Sequence, residues 1–473
     1  MRALILAAAL LVAAPALAAP QITVVQGTLS GTTDNGVDSY KDIPYAAPPV
    51  GDLRWRAPQP EPNWTTPRDA SAFGPACPQH VTEGLVARAN LPQSEDCLSL
   101  NVWTPGGAGR PVMVWIHGGG FTQGSAALPR FDGTALARRG VVVVSFNYRL
   151  GRLGFFAHPA LADSNFGLLD QIAALQWVRR NAAAFGGDPG NVTLFGESAG
   201  GVSVDMLMTS PLARGLFAKA ISESGGLFEP TAKLADARKG ALDFAAKLKA
   251  PDVAALRAAG VAQILAADDD DDGPAIDGKV LTEDPLAAFA AGHQARVPYL
   301  TGTNSNEGSQ IGPENSDWLV KLLGDRLAAV RALYDTPDDM EFRRQFFNDR
   351  FFAGPARQLA GYAARGAPAY VYRFGFRNAR ARLRGETGVP HGGEMVFVFG
   401  FGPLAAIAPA QDTAASELMQ SYWTNFARTG DPNGAGLPAW PRFEGTAPAT
   451  LVIEDTTHAV PDFRKAQLDG AGR

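Results

Sequence analysis

The sequence predicts an α/β fold built on a large, mostly parallel central sheet flanked by helices. Three observations predict it. Two near-continuous apolar runs, Val112 to His117 and Val141 to Tyr148, are bounded by turn residues, the pattern of strands buried on both faces. A helical segment from about Gly167 to Ala184 follows them, with Leu168, Ile172, Leu175 and Val178 on one face. The β-type run Asn191 to Phe195 then leads through Gly196-Glu197-Ser198-Ala199-Gly200 into a helix ending near Met208, and the strand-like Ala218 to Ser222 comes next. Strand alternating with helix is the signature of a parallel sheet.

Composition narrows the function classes. The chain has 473 residues, 46% of them hydrophobic, ample for a large core, and a formal charge of -5. No basic stripe is present, which argues against nucleic acid as a partner. Met1-Arg2, an apolar run from Ala3 to Ala14 and Pro15-Ala16-Leu17-Ala18 read as a secretory signal peptide over 1–18, cleaved after Ala18 or Ala19; an uncleaved anchor is the alternative. No later apolar run has spanning length, so stable membrane insertion is not expected. Cys77 and Cys97 are the only cysteines, and in an exported chain such a pair favours a disulfide over two free thiols.

In chain order, Gln21 to about Arg68 reads as a small N-terminal sheet with irregular coil. Leu98 to Trp103 is a further strand. Gly186 to Gly190 marks a turn after the helix, and the composition of Thr231 to Ala267 predicts a helical insertion. The acidic run Asp268 to Asp272 reads as a solvated loop, with a calcium site as the sharper alternative. Strands are predicted at Val297 to Thr303, Ala369 to Phe374 and Thr450 to Ile453. Trp318 to Ala364 is helical in pattern, and a long helix is predicted from Thr413 to Ala427, stopped by Gly430 and Pro432. No repeat or linker interrupts the chain, so 19–473 reads as one domain with helical insertions.

Gly-x-Ser-x-Gly on a strand-to-helix corner is the nucleophile elbow of α/β-hydrolases. Glycines flank the serine because a Cβ on either side of so sharp a turn would strike neighbouring strands. A serine hydroxyl is a poor nucleophile at neutral pH and needs a base with an acid behind it. The order serine, acid, histidine leaves His293, His391 and His458 as bases. His391 lies in the glycine-rich Gly388-Val389-Pro390-His391-Gly392-Gly393-Glu394, whereas His458 reads as a surface residue and His293 as a loop or helix-end residue. Glu307, directly after a predicted strand, is the leading acid, and Asp277 competes with a turn role as its plainer reading. His117-Gly118-Gly119-Gly120-Phe121 follows a strand, and consecutive glycines can aim backbone N–H groups at one oxyanion.

These motifs, with Glu95-Asp96-Cys97-Leu98-Ser99-Leu100-Asn101-Val102, Asn147-Tyr148-Arg149-Leu150-Gly151 and Phe185-Gly186-Gly187-Asp188-Pro189, stand in one order from roughly Gly27 to Pro432. In this the chain resembles the type-B carboxylesterases, the α/β-hydrolase branch that includes cholinesterases and bacterial para-nitrobenzyl esterases. The resemblance implies Ser198 as nucleophile, Glu307 as acid and His391 as base. It also implies Gly119, Gly120 and Ala199 as oxyanion-hole donors, a Cys77–Cys97 disulfide, and ion pairs Arg54–Glu95 and Arg149–Asp170. Glu197 and Ser224 match near-site positions without a derived role. The expected activity is hydrolysis of a small-molecule carboxylic ester by a secreted or periplasmic enzyme that needs no metal and no cofactor.

Departures shape the substrate reading. Cholinesterases carry a tryptophan in the first disulfide loop for a cation–π contact, and Pro78 to Asp96 contains no Trp, Tyr or Phe, so choline esters are poor candidates. The chain is shorter than most of the family, which predicts trimmed loops around the site. Noncatalytic relatives lack the serine, whereas Ser198 is present. A detoxifying or polyester-degrading esterase for a bulky ester, a lipase, and a noncatalytic binding protein are the alternatives; a lipase would need an apolar lid that the sequence does not offer.

Overall fold

The apolar runs form the centre of an eleven-stranded sheet. The structure is a computed structural model, and it describes residues 19–80, 89–226, 230–268 and 273–472. The signal-peptide reading of 1–18 and the acidic residues 269–272 lie outside the described residues. In chain order the strands are β1 (Gln21–Val24), β2 (Gly27–Ser30), β3 (Thr32–Asp34), β4 (Val37–Pro44), β5 (Arg68–Asp69), β6 (Ser99–Thr104), β7 (Arg110–Ile116) and β8 (Val142–Phe146). They continue with β9 (Gly187–Glu197), β10 (Lys219–Glu223), β11 (Ala232–Lys233), β12 (Ala275–Ile276), β13 (Tyr299–Asn304), β14 (Ala369–Phe374), β15 (Ala449–Ile453) and β16 (Thr457–Pro461).

The large sheet runs β3-β4-β6-β8-β7-β9-β10-β13-β14-β15-β16. Every pairing from β8 to β15 is parallel, and antiparallel strands close both edges. The expected N-terminal sheet exists as β1-β2-β5, but β3 and β4 leave it to form one edge of the large sheet. Apolar Val37, Tyr40 and Ile43 on β4 draw the strand there, where they are buried.

Side-chain alternation on the strands divides the interior into two layers. Val112, Val114 and Ile116 of β7 join one core with Leu168, Ile172 and Val178 of the helix Phe166–Asn181. Met113 and Trp115 face the other core, with Met419, Tyr422, Trp423 and Phe426 of the helix Ala410–Thr429. The latter helix is longer than its predicted span and stops where Gly430 adopts φ 80°, the left-handed C-terminal cap. The predicted helix Gly167 to Ala184 ends at Asn181 and tightens into the 3-10 turn Ala182–Phe185. β9 starts at Gly187, inside the predicted turn, because the Gly186 carbonyl accepts the Arg110 N–H at 2.9 Å.

The insertion between β11 and β12 is helical as predicted, over Leu234–Lys247, Val253–Ala258 and Val261–Ala267. Arg54 ties it down, donating to the carbonyls of Arg257 and Ala259 while its other nitrogens pair with Glu95 at 2.6 Å. Arg149 and Asp170 pair at 2.6 Å with both side chains buried. Cys77 and Cys97 form a disulfide, so the compartment argument and the resemblance agree with the structure. Among the described residues no helix is long and apolar enough to cross a membrane.

The disulfide closes a loop with a sequence separation of 20. Confining that loop in the unfolded chain stabilises the fold by roughly 3 kcal/mol in the entropy model. Replacing both cysteines by serine is expected to lower the unfolding free energy by about that amount, read as a drop in the urea midpoint. An unchanged midpoint would show that the loop is held by its packing alone.

Candidate active site

Five residues from β9 to the following helix make the corner on which the site is built. Ser198 lies between them at φ 58° and ψ -126°, a strained conformation for a residue with a Cβ. Its N–H donates to the Glu223 carbonyl at 2.9 Å and its carbonyl accepts from Val202 at 2.9 Å, so β10 and the helix Ala199–Thr209 hold the strain. The neighbouring glycines are sterically required. A Cβ at Gly196 would stand 2.5 Å from the Gly200 carbonyl oxygen, and one at Gly200 2.1 Å from that of Ile116. Ser198 itself is half-buried and therefore reachable.

Strand ends bring the other predicted residues to the same edge of the sheet. β7 delivers Gly118, Gly119 and Gly120; Gly119 and Gly120 have φ of 114° and 63°. A Cβ on Gly118 would lie 2.9 Å from Ser198 Cβ, and one on Gly119 2.0 Å from the Gln123 carbonyl oxygen. The Gly119 carbonyl closes the loop by accepting from Thr122 and Gln123. Ala199 opens an eleven-residue helix, so its N–H is one of those without an intrahelical partner, at the positive end of the helix dipole.

β13 ends in the loop that carries Glu307, which is fully buried. Its Oε1 accepts from Ser224 Oγ at 2.6 Å and from the Asn304 N–H at 2.6 Å, and its Oε2 lies 2.6 Å from His391 Nδ1. The His391 loop is sewn to the same segment. The Asn306 N–H donates to the Val389 carbonyl, Val389 N–H to Ser305 Oγ, and Asn304 Nδ2 to the Pro390 carbonyl. Phe352 packs its ring 5.3 Å from the imidazole. On the far side of the ring, Nε2 lies 3.3 Å from Glu197 Oε1; Ser198 Oγ makes no hydrogen bond to it.

The competing candidates fall elsewhere. His293 is exposed and pairs with Glu283 at 2.7 Å, and His458 is exposed on β16. Asp277 accepts three successive N–H groups, from Lys279, Val280 and Leu281, which is the turn role.

The electrostatics are dominated by buried carboxyls. Burial pushes Glu197, Glu223 and Glu394 upward, Glu394 to about 8 with the nearby Glu197 and Glu307 adding to the effect. For His391, burial works downward, but the carboxylates of Glu197 and Glu307 outweigh it and raise the imidazole above its ordinary range. His117 behaves oppositely. Buried against the Tyr148 ring, it is lowered to about 4 and stays neutral. Sequence reasoning missed the contacts of Arg130, Asn304 and Phe352, whose positions carry no local motif.

A parallel-centred sheet with a serine at the strand-to-helix corner defines an α/β-hydrolase. The profile of the "Carboxylesterase family" matches residues 18–322 and 331–469. The para-nitrobenzyl esterase of Bacillus subtilis (strain 168) is 38% identical over 483 residues, covering 94% of this chain and 97% of that one. The fumonisin B1 esterase of Sphingopyxis macrogoltabida is 38% identical over 470 residues, covering 89% of this chain and 85% of its own. A solved PNB esterase superposes with a TM-score of 0.86 at 36% identity, covering 96% of this chain and 99% of the other. The chain belongs to the carboxylesterase family and is a carboxylic ester hydrolase.

The glycine arguments predict opposite outcomes for two substitutions. Gly200→Ala forces a methyl into the Ile116 carbonyl and is expected to abolish soluble folded protein or to lower stability by several kcal/mol, with the elbow distorted. Gly240→Ala, in the helix Leu234–Lys247 with nothing within 4 Å of the added Cβ, is expected to stabilise by about 0.5–1 kcal/mol. Thermal melts of the pair check both.

Proposed function

We propose that Ser198 is the nucleophile, His391 the general base and acid, and Glu307 the orienting acid of a serine carboxylesterase. The observation that carries this reading is the 2.6 Å contact of Glu307 Oε2 with His391 Nδ1, beside the strained corner that presents Ser198. With Nδ1–H committed to Glu307, the neutral ring keeps its lone pair on Nε2, the nitrogen that must take the serine proton.

Ser198 Oγ attacks the ester carbonyl as Nε2 accepts its proton. The resulting oxyanion is stabilised by the N–H groups of Gly119, Gly120 and Ala199. His391 then protonates the departing alcohol, leaving an acyl group on Ser198. Water, deprotonated by the same nitrogen, attacks the acyl carbonyl; Ser198 leaves with its proton restored and the acid is released. To serve Ser198, the Nε2 contact turns from Glu197 to Oγ, a rearrangement common between unliganded and reacting sites.

We also infer that the chain acts after export, with 1–18 as its leader and 19–473 as one catalytic domain. The Cys77–Cys97 disulfide supports an oxidising compartment. Its substrates are small-molecule esters other than choline esters.

Ser198→Ala is expected to reduce kcat for a short-chain aryl ester by about 10^4-fold or more, with the thermal melt unchanged. Near wild-type turnover would remove Ser198 from the role of nucleophile. Because the two carboxylates favour the protonated ring, and only the neutral ring can act as base, kcat/KM should rise with pH through an acid limb above about 6.5. A limb at or below that value would mean that Glu197 and Glu307 do not load the imidazole.

A further inference from the structure

Arg130 belongs to no motif, yet its side chain reaches the site. It sits on the 3-10 turn Pro129–Phe131, downstream of the glycine loop. Its Nη2 donates to the Gly392 carbonyl at 3.1 Å, one residue beyond His391. A Cβ built on Gly392 would stand 3.2 Å from that same nitrogen and 3.1 Å from Glu197 Oε1. Guanidinium and carboxylate therefore flank a single point beside the imidazole. The arginine stem is held in place, since the guanidinium lies 5.0 Å over the Phe131 ring and Phe131 packs on Trp115 and Phe399. Nε is buried and has no partner among the described residues, so this charge is kept inside the site without a full set of hydrogen bonds.

We propose that Arg130 is a positioning residue that acts on the Glu197–His391 pair as a whole, its charge resisting the pair's last proton and so freeing the imidazole for Ser198. The proposal rests on the reading of Ser198 and His391 given above. The groups facing the pair are Glu307 at Nδ1, Glu394 on the His391 loop, Glu223 at the end of β10 and the buried Tyr372 phenol on β14, with Arg130 as the cation among them. Ionised carboxyls pull a proton onto the pair; Arg130 pushes it off. A nearby cation lowers the proton affinity of both members, so the pair loses its last proton at lower pH whichever member holds it, and it is that loss that the acid limb reports. The same guanidinium anchors the backbone after His391, so its loss has two separable effects: one on pH dependence and one on the height of the rate plateau.

The test measures kcat/KM for a short-chain aryl ester, and the rate of fluorophosphonate inactivation, from acid to alkaline pH on the full chain. Arg130→Gln keeps a donor for the Gly392 carbonyl and removes the charge. Its acid limb is expected to move up by about one pH unit in both measurements. Arg130→Lys, which keeps the charge, should return the limb towards the wild-type position. A limb in Arg130→Gln that coincides with wild type, whatever happens to the plateau, overturns the proposal and leaves Arg130 as an anchor of the loop. An equal limb shift in the Gln and Lys variants also overturns it, since charge would then be irrelevant. Should Arg130→Gln fail to fold, Arg130→Lys and Arg130→Met are compared by the same criterion. A wild-type enzyme that the phosphonate does not label at Ser198 would instead defeat the catalytic reading, a result distinct from an unshifted limb in a labelled enzyme.

Discussion

The close approach of Gly200 to the Ile116 carbonyl is the contact on which the site's geometry depends. A Cβ at Gly200 would come within 2.1 Å of that oxygen, so the helix starting at Ala199 can lie this near β7 only because the position is glycine. Its consequences spread outward. With the helix seated there, the chain must turn so sharply after Glu197 that Ser198 is driven to φ 58°. Gly118, the second residue after β7, then comes alongside Ser198, which puts the glycine loop beside the serine. The strain at Ser198 persists because β10 and the first turn of the helix bind both of its backbone polar groups. The placing of the serine and of the glycine loop are thus two results of one packing event.

The imidazole is positioned by a separate device, and the two meet at the sheet edge. Glu307 is buried and satisfied at both oxygens, by Ser224, Asn304 and His391. Residues 304–306 at the end of β13 and residues 389–390 before the histidine exchange three hydrogen bonds, which tie the Glu307 and His391 loops together. The cost of this arrangement is a concentration of carboxyls. Glu197, Glu307 and Glu394 lie around one imidazole, with Glu223 next to Glu197 and Glu394, and all four are buried. Desolvation keeps part of that negative charge from appearing, since Glu394, raised to about 8, holds its proton at neutral pH.

How much of this is legible in the sequence follows from how local each feature is. The central strands, the elbow and the glycine loop are written in contiguous runs, and the structure places them as read. Glu307 and His391 are legible through chain order and glycine-rich loops, although no pattern in the chain states that they touch. The contacts of Glu197 and Ser224 are not legible, because they join residues far apart: Ser224 reaches Glu307 across 83 positions. Arg130 reaches Gly392 across 262. The switch of β3 and β4 from the small sheet to the large one escapes for a related reason. Edge pairing depends on the partner strand, which a strand's own residues do not name.

Short motifs supply the rigid geometry, and scattered charges supply its protonation. Glycines 118, 119, 196, 200 and 201 act through excluded volume, an effect that is all or none at the distances seen here. Carboxyls and the Arg130 guanidinium act through fields, which are graded and sum over every neighbour. A serine, acid and histidine in one order therefore point to the reaction class, while the protonation of the imidazole answers to a summed field in which Arg130, outside any motif, takes part with Glu197, Glu307 and Glu394. Two chains with the same elbow can share a chemistry and differ in working pH, and in this chain the residue placed to make that difference is the cation beside Glu197.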